Sequence, residues 1–463
     1  MARIHDTMRK ELRDKGAFCL AQTSAFEYID AVPERSVFPP PDAVEGLSVF
    51  DEALPSSPSS GEEVIRLLAG YGSPATVAQT GGRYFGFVNG GAVPAALAAR
   101  WLADVWDQNP ALYVISPVAA KLEQICEEWL VDLLGLPNGT VAGLVGGTSI
   151  AILCGLAAAR YSILKSLGWD VNARGLAGAP PFRVVVSEQA HSSVFKALAL
   201  LGIGREQLEK VRADPQGRID PSCLPGLDSS TLLILQAGNV NTGAFDDFLE
   251  ICSVAQSAGA WVHIDGAFGL LAQASRKTAH LTAGIELADS WSVDGHKALN
   301  TPYDCGIVLC RDRDSLVGAM QASGAYIQYS ENRDGMLYGP DMSRRARSVE
   351  LWATLKFLGR EGIEEMIDEL CERAVQFGER LQEEGFRVLN EVVFNQVLVS
   401  CSSPEETTAT LRALQGSGVC WCGGSTWLDE PAIRISVCSW ATTAEDVERS
   451  VDAFVAARKG QSR

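Results

Sequence analysis

The sequence predicts an α/β protein with a large, mostly parallel sheet carrying helices on both faces, followed by a smaller C-terminal α/β domain. Three observations predict it. Between residues 149 and 312, apolar strand-like runs alternate with helical runs, which is the pattern of βαβ units. Each strand-like run is nearly all apolar, as burial on both faces requires. After about residue 320 the chain turns polar and Gly/Tyr/Arg-rich, then resumes with a helix and short strands of its own. At 463 residues it exceeds one small core, which agrees with two domains.

The elements follow in order. Residues 1–35 read as charged helix, and 36–60 (SVFPPPDAVEGLSVFDEALPSSPSSG) as a Pro/Ser-rich arm that has no core of its own and must lie on another subunit or on the main body. A helix is expected at 61–68, an aromatic strand and turn at 83–91 (RYFGFVNGG), and apolar helices at 93–109 and 116–137. Ser116 is placed to cap the second of these, with Pro117 at its first position. Helices at 149–169, 191–203 and 246–259 alternate with strands at 183–189, 231–238, 260–268, 290–296 and 305–312. Residues 325–347 read as a long functional loop. A helix at 348–385, one strand at 386–400, a helix at 407–416, strands at 419–428 and 432–440, and a helix at 443–458 complete the chain. The expected units are an arm at 1–80 that packs on the partner subunit, a large domain at 81–345 and a small domain at 346–463.

Composition excludes several classes. A net charge of −18 argues against nucleic acid as a partner, because phosphate binding needs clustered Lys and Arg. The longest apolar runs fall short of the ~20 residues of a membrane span, so no membrane is expected. The N-terminus lacks the apolar core of a signal peptide, and a cytoplasmic location is expected. The twelve cysteines show no CxxC pair or Cys/His spacing for zinc, so no metal is expected. Cys420 and Cys422 read as buried free thiols.

Four segments carry chemistry. In SVDGHK (292–297), Lys297 follows a short strand and a Gly-His turn that includes Asp294, as a Schiff-base lysine for pyridoxal phosphate (PLP) would need. In HIDGAFG (263–269), Asp265 ends an apolar strand, where ligands of such sheets bind. A carboxylate there could keep a pyridinium nitrogen protonated, or serve as a turn aspartate before Gly266. His191 in EQAHSSV occupies the same kind of strand end, as a structural histidine or as a flat ring that stacks on a planar cofactor. Gly146, Gly147, Thr148 and Ser149 open a long apolar helix, whose free N–H groups and dipole suit an anion; simple N-capping is the alternative. Arg434, in a strand of the small domain, could clamp a carboxylate or lie at an edge.

Taken together, these segments resemble the group II PLP-dependent amino acid decarboxylases. The resemblance runs over roughly residues 80–455 through GRYFGFVNGG, GGTS, EQAHSSV, GAFDDF, HIDGAFG, SVDGHK, NTPYDCGIVLCRD, DMSRRARSVELWATLKFLG and IRISVCSW. It implies the aspartate-aminotransferase fold (PLP-dependent transferase fold type I) with a seven-stranded sheet, and a homodimer with active sites at the interface. Lys297 matches the Schiff-base lysine, Asp265 the partner of the pyridine nitrogen and His191 the ring-stacking histidine. Ala267 matches the small residue against the ring. Gly147, Thr148, Ser149, Asp294 and His296 fall among the cofactor contacts. Arg434, Tyr84 and Phe85 fall near the substrate, with Trp106, Asn109 and Pro110 around the mouth; for all of these but Arg434, a core or dimer contact is the alternative. A loop tyrosine is implied as proton donor to Cα, and Tyr338 is favoured over Tyr329 and Tyr326. Ala298 stands where the family often has Trp. Asn239 and Val240 stand where Thr-Thr is frequent, leaving Asn241 or Thr242 as substitutes. The implied activity is decarboxylation of an L-amino acid to its amine. Aldehyde synthase, aldol-type lyase, aminotransferase and a non-catalytic scaffold stay open as alternatives.

Overall fold

The computed structural model describes residues 4–322 and 329–460. Among them are twelve strands: β1 (Tyr84–Phe85), β2 (Val141–Val145), β3 (Arg183–Ser187), β4 (Leu208–Val211), β5 (Thr231–Gln236), β6 (Trp261–Asp265), β7 (Ser290–Asp294), β8 (Gly306–Cys310), β9 (Arg387–Val388), β10 (Gln396–Ser400), β11 (Trp421–Trp427) and β12 (Glu430–Ser436).

Seven of them form the large sheet in the order β2-β8-β7-β6-β5-β3-β4. Only β8 runs against the rest, antiparallel to β2 and to β7. Strands β2, β5, β6, β7 and β8 are buried along their whole length, which explains their unbroken apolar character. Because β2, β3, β6 and β7 run the same way, their carboxyl ends lie along one edge. Gly146, His191, Asp265 and Asp294 all follow or end these strands, so topology alone gathers them.

The helix Thr148–Ser166 packs across this sheet. It is long and apolar enough to be a membrane span by length and composition, which the sequence reading did not expect. Here it is a core helix, with Ala151, Ile152, Cys154 and Leu156 fully buried. Gly155 makes the packing close, since a side chain there would meet the His263 ring at 2.6 Å.

The small sheet has the order β1-β11-β12-β10-β9. Tyr84 and Phe85, expected with the large domain, pair with Trp421 and Cys422 of β11 instead. The two-residue strand has no partner edge elsewhere, and Phe85 packs edge-on to Phe377 at 5.0 Å. The single strand expected at 386–400 is two short strands, β9 and β10, that pair antiparallel. Strands β2 and β4 were not anticipated. The long helix Ser348–Glu383 is broken at Gly359, whose φ of 60° is left-handed. All twelve cysteines are free, with Cys420 and Cys422 buried.

The segment 33–38 rests on the same chain, while the N-terminal helices Ile4–Asp14 and Gly16–Ala31 bury no residue against it. Val37 N–H donates to the Gly418 carbonyl at 2.9 Å. The buried Arg83 donates to the carbonyls of Val419 and Pro33. Between this arm and the helix Pro94–Trp106 lies a cavity of about 1200 Å³.

Candidate active site

A cavity of about 280 Å³ opens at the shared strand edge. Gly146–Ile150 form one wall, His191 and Ser193 another, and Ala267, Asp294, His296, Lys297 and Tyr303 the rest. The structure therefore brings together Gly147, Thr148, Ser149, His191, Ala267, Asp294, His296 and Lys297, as expected.

Lys297 Nζ lies 3.2 Å from Asp294 Oδ2. Asp294 is buried, and its other oxygen accepts the Thr148 N–H at 2.7 Å. One carboxylate thus holds both the lysine ammonium and the first turn of a helix. Its charge favours both, because helix N-termini are positive. The His296 ring, 4.2 Å between centroids from Tyr303, has Nδ1 2.9 Å from the Cys305 carbonyl oxygen. Burial lowers its pKa.

Asp265 sits beneath the cavity, beside His191 and the end of β5. The Ala267 N–H donates to its Oδ1 at 3.2 Å. Burial pushes its pKa up to about 6, against the pull of Lys297. It makes no ion pair within 4 Å among the described residues, so a buried carboxyl here lacks the cation that would offset its burial.

His191 caps the helix Ser192–Leu200. The Ser193 N–H donates to its Nδ1 at 3.3 Å, which leaves the neutral-ring proton on Nε2,. Burial, Lys297 and Arg434 all lower its pKa, so the ring is neutral near pH 7.

Three features fit a phosphate-bearing cofactor. The Thr148 hydroxyl is buried with no hydrogen-bond partner among the described residues. It stands at the N-terminus of a 19-residue helix. Glycines line the approach: a side chain at Gly306 would strike the Gly147 backbone, so only glycine lets the loop close down on β8. Gly146 packs against Asp304 Oδ2, 3.1 Å from where its side chain would begin. Thr148, Ser149, His296 and the loop amides are the residues that would hold the phosphate, and Asp265 the far end of the ring.

Five expected residues lie elsewhere. Phe85 is fully buried in the core, so it is not a substrate contact. Its strand partner pulls it inward, away from the cleft. Tyr338 is also buried; its backbone packs against Gly143 of β2, and its ring covers Arg333 at 4.2 Å. Its hydroxyl takes an N–H from Arg313 at 3.3 Å. Packing against β2 keeps it out of the cavity, which corrects its assignment as proton donor. Tyr329 is exposed and donates to the Ala322 carbonyl, while Tyr326 lies outside the described residues. Asn241 and Thr242 bond to Ser425 and to the Gln216 carbonyl, and neither lines the cavity.

Arg434 and Tyr84 lie on the small-sheet face of the cleft. Arg434 is opposite Gly423 in register, and no carboxylate in the described residues pairs with it. Its Nε is buried without a partner, and burial lowers its pKa.

Sequence reasoning missed the braces of the lysine turn. Asn300 Oδ1 accepts N–H groups from Gly91 and from Trp440 at 3.0 Å, and its Nδ2 donates to the Cys438 carbonyl at 3.0 Å. The Tyr303 hydroxyl donates to Asn89 at 2.8 Å. A side chain at Gly90 would strike the Lys297 carbonyl. The turn before Gly90 is unusual: Phe87 and Val88 have φ of 54° and 59°. The left-handed region costs a residue other than glycine ~1–2 kcal/mol. The apolar segment ALNTPYDCG after the lysine was the one signal available for these contacts.

Comparison with known proteins agrees with this geometry. A family model described as the pyridoxal-dependent decarboxylase conserved domain matches residues 49–401. Mouse cysteine sulfinic acid decarboxylase is 30% identical over 330 residues, covering 68% of this chain and 66% of that protein. Aromatic-L-amino-acid decarboxylase of Bacillus atrophaeus is 30% identical over 298 residues, covering 62% and 60%. The chain thus spans about two thirds or less of these curated relatives. Oryza sativa TDC, solved with PLP and tryptamine, superimposes with a TM-score of 0.88 at 20% identity over 98% of this chain and 99% of that one. The fold is therefore fold type I of the PLP-dependent enzymes, and PLP is the cofactor the cavity is built for. With the family model matching most of its length, the chain belongs to the pyridoxal-dependent decarboxylase family.

Proposed function

We propose that the protein decarboxylates an L-amino acid to the corresponding amine, using PLP. The observation that carries this is the meeting of Lys297, its Asp294 partner and buried Asp265 beside an unsatisfied Thr148 hydroxyl at a helix N-terminus. PLP, when bound, supplies a conjugated ring that accepts electrons from a bond broken at Cα.

The chain's own residues do the rest. The Thr148 and Ser149 hydroxyls and the loop amides would anchor the phosphate. Asp265 would hold a proton on the ring nitrogen, because a buried carboxylate gains most from a partner cation. Asp294 Oδ2 would keep Lys297 Nζ in place beside the phosphate loop. The neutral His191 ring presents Nε2–H and a flat face. Arg434, which has no carboxylate partner among the described residues, is the group on the small-domain side that can bind a carboxylate.

The assembly we propose is a homodimer with its active sites near the interface. Exposed Trp101, Val105, Trp106 and Val114 support it, since a contiguous apolar surface marks an interaction site. A cytoplasmic setting is supported by twelve free thiols,.

The test mixes the PLP-loaded protein with a panel of L-amino acids and reads CO2 and product mass together. CO2 with a matching amine, abolished by Lys297→Ala, is the expected result. An aldehyde, a keto acid or a cleaved side chain would overturn it.

A further inference from the structure

The turn at 86–89 joins the small sheet to the lysine turn, and its sequence is wrong for its shape. The Asn89 N–H donates to the Gly86 carbonyl at 3.2 Å, with positive φ at both central residues. Such turns favour Asn-Gly or Gly-Gly. Here the two positions hold Phe87 and Val88, and a β-branched residue at positive φ is an outlier. Strain of this kind persists where the position has a task.

The task is visible in what the turn presents. Val88 is buried, while Phe87 is 62% exposed. The Phe87 ring stacks on Trp421 at 5.5 Å between centroids, and Trp421 stacks in turn on Tyr84 at 5.3 Å. Gly86 permits this, since a side chain there would strike the Trp421 ring. The result is a row of three rings whose last member is open. Trp421, Gly423 and Ser425 alternate onto one face of β11, and Ser425 bonds to Asn241 of the large domain at 2.6 Å,. The turn reaches the cavity through Asn89, whose Oδ1 accepts the hydroxyl of cavity-lining Tyr303 at 2.8 Å. Phe87 is three residues from Gly90, which touches the Lys297 carbonyl.

Charge points the same way. A substrate with an acidic side chain brings two carboxylates. In this cleft Lys297 is paired with Asp294, and Arg345 and Arg347 are paired with Asp304. Arg434 alone is left for a carboxylate among the described cleft residues.

We propose that Phe87 is the specificity-determining residue of this site and that it selects L-amino acids with an aromatic side chain. The ring of the substrate extends the row that Tyr84 and Trp421 begin, while Arg434 takes its one carboxylate. The inference rests on the reading above that the site takes an L-amino acid.

The test titrates PLP-loaded protein with L-phenylalanine, L-tyrosine, L-tryptophan, L-glutamate, L-aspartate and L-cysteine sulfinate. Binding is read from the visible absorbance of the cofactor, and CO2 is read separately. Aromatic ligands half-saturate at concentrations about tenfold or more below the acidic ones. Phe87→Gly relieves the turn, so folding is preserved. It weakens the aromatic ligands about tenfold and leaves acidic ligands and PLP affinity within about twofold. Phe87→Tyr retains the preference. Tighter binding of acidic ligands by the wild type overturns the proposal, as does an equal loss for every ligand or a changed sedimentation coefficient in Phe87→Gly. Phe87-dependent binding of aromatic ligands without CO2 leaves this proposal standing and removes the decarboxylase reading.

Discussion

At the scale of single residues, Asp265 trades stability for function. Its pKa is raised from the ordinary carboxylate value to about 6, chiefly by burial. The sign follows from which form the fold disfavours. Below the unfolded pKa near 4 the group is protonated in both states, and burial carries no ionic penalty. Above about 6 it is ionised in both states, and the folded state bears the full cost. That cost is about 2–3 kcal/mol at 1.36 kcal/mol per unit. In the cofactor-free protein Asp265→Asn is therefore more stable than wild type at pH 7.5 by roughly this amount. The gap closes as pH falls from about 6 toward 4. Urea unfolding of both proteins across that range checks it, and a variant no more stable than wild type at pH 7.5 refutes it. The same variant binds PLP more weakly, since the ring nitrogen loses its anionic partner.

At the scale of elements, the phosphate cradle depends on a neighbour that touches no ligand. Asp304 follows cavity-lining Tyr303 and pairs with Arg345 at 2.6 Å and Arg347 at 3.0 Å. These charges outweigh its partial burial and bring its pKa to about 2. Gly146 rests against Asp304 and Arg347, and Gly147 against His296. The glycine loop is thus gripped from two sides, and Asp304→Ala frees one. PLP affinity falls about tenfold, as for loss of a residue that supports a binding shell, while Asp304→Asn falls less. Equilibrium titration with PLP measures this, and an unchanged affinity would show that the grip is not needed. This brace was not legible in the sequence, because Asp304 and Arg347 are distant in the chain and only the fold joins them. The strands that carry Asp265 and Asp294 were legible, because burial on both faces writes an apolar run. Strand β2 was not, since VAGLV runs directly into the glycine loop and offers no boundary. Tyr338 failed for a related reason: sequence places a residue on a loop but does not say which way its ring turns.

At the scale of the whole molecule, the arm leaves work unfinished. The helices Gly16–Ala31 and Gly61–Leu67 stand off the body across a cavity of about 1200 Å³, lined by Phe26, Ile29, Leu68, Leu97 and Trp101 among others. Native interiors hold few voids larger than a water molecule, so apolar walls this far apart call for an occupant. Phe26 and Trp101 approach to 5.8 Å across the gap but stay 49% and 37% exposed. Leu102, Val105 and Trp106 continue the apolar surface along the same helix. In the proposed homodimer a second copy of the chain would supply matching surface by two-fold symmetry, each arm closing over the other's helix. The arm's resting place was legible only as two options, itself or a partner, because a Pro/Ser-rich segment carries no periodicity to choose between them. Wild type should sediment as a dimer at micromolar concentration. Trp101→Glu places a charge in the apolar wall and should raise the dimer dissociation constant at least about a hundredfold, as for loss of a buried aromatic anchor. If the variant stays dimeric at the same concentrations, the second copy docks elsewhere and the cavity belongs to the single chain.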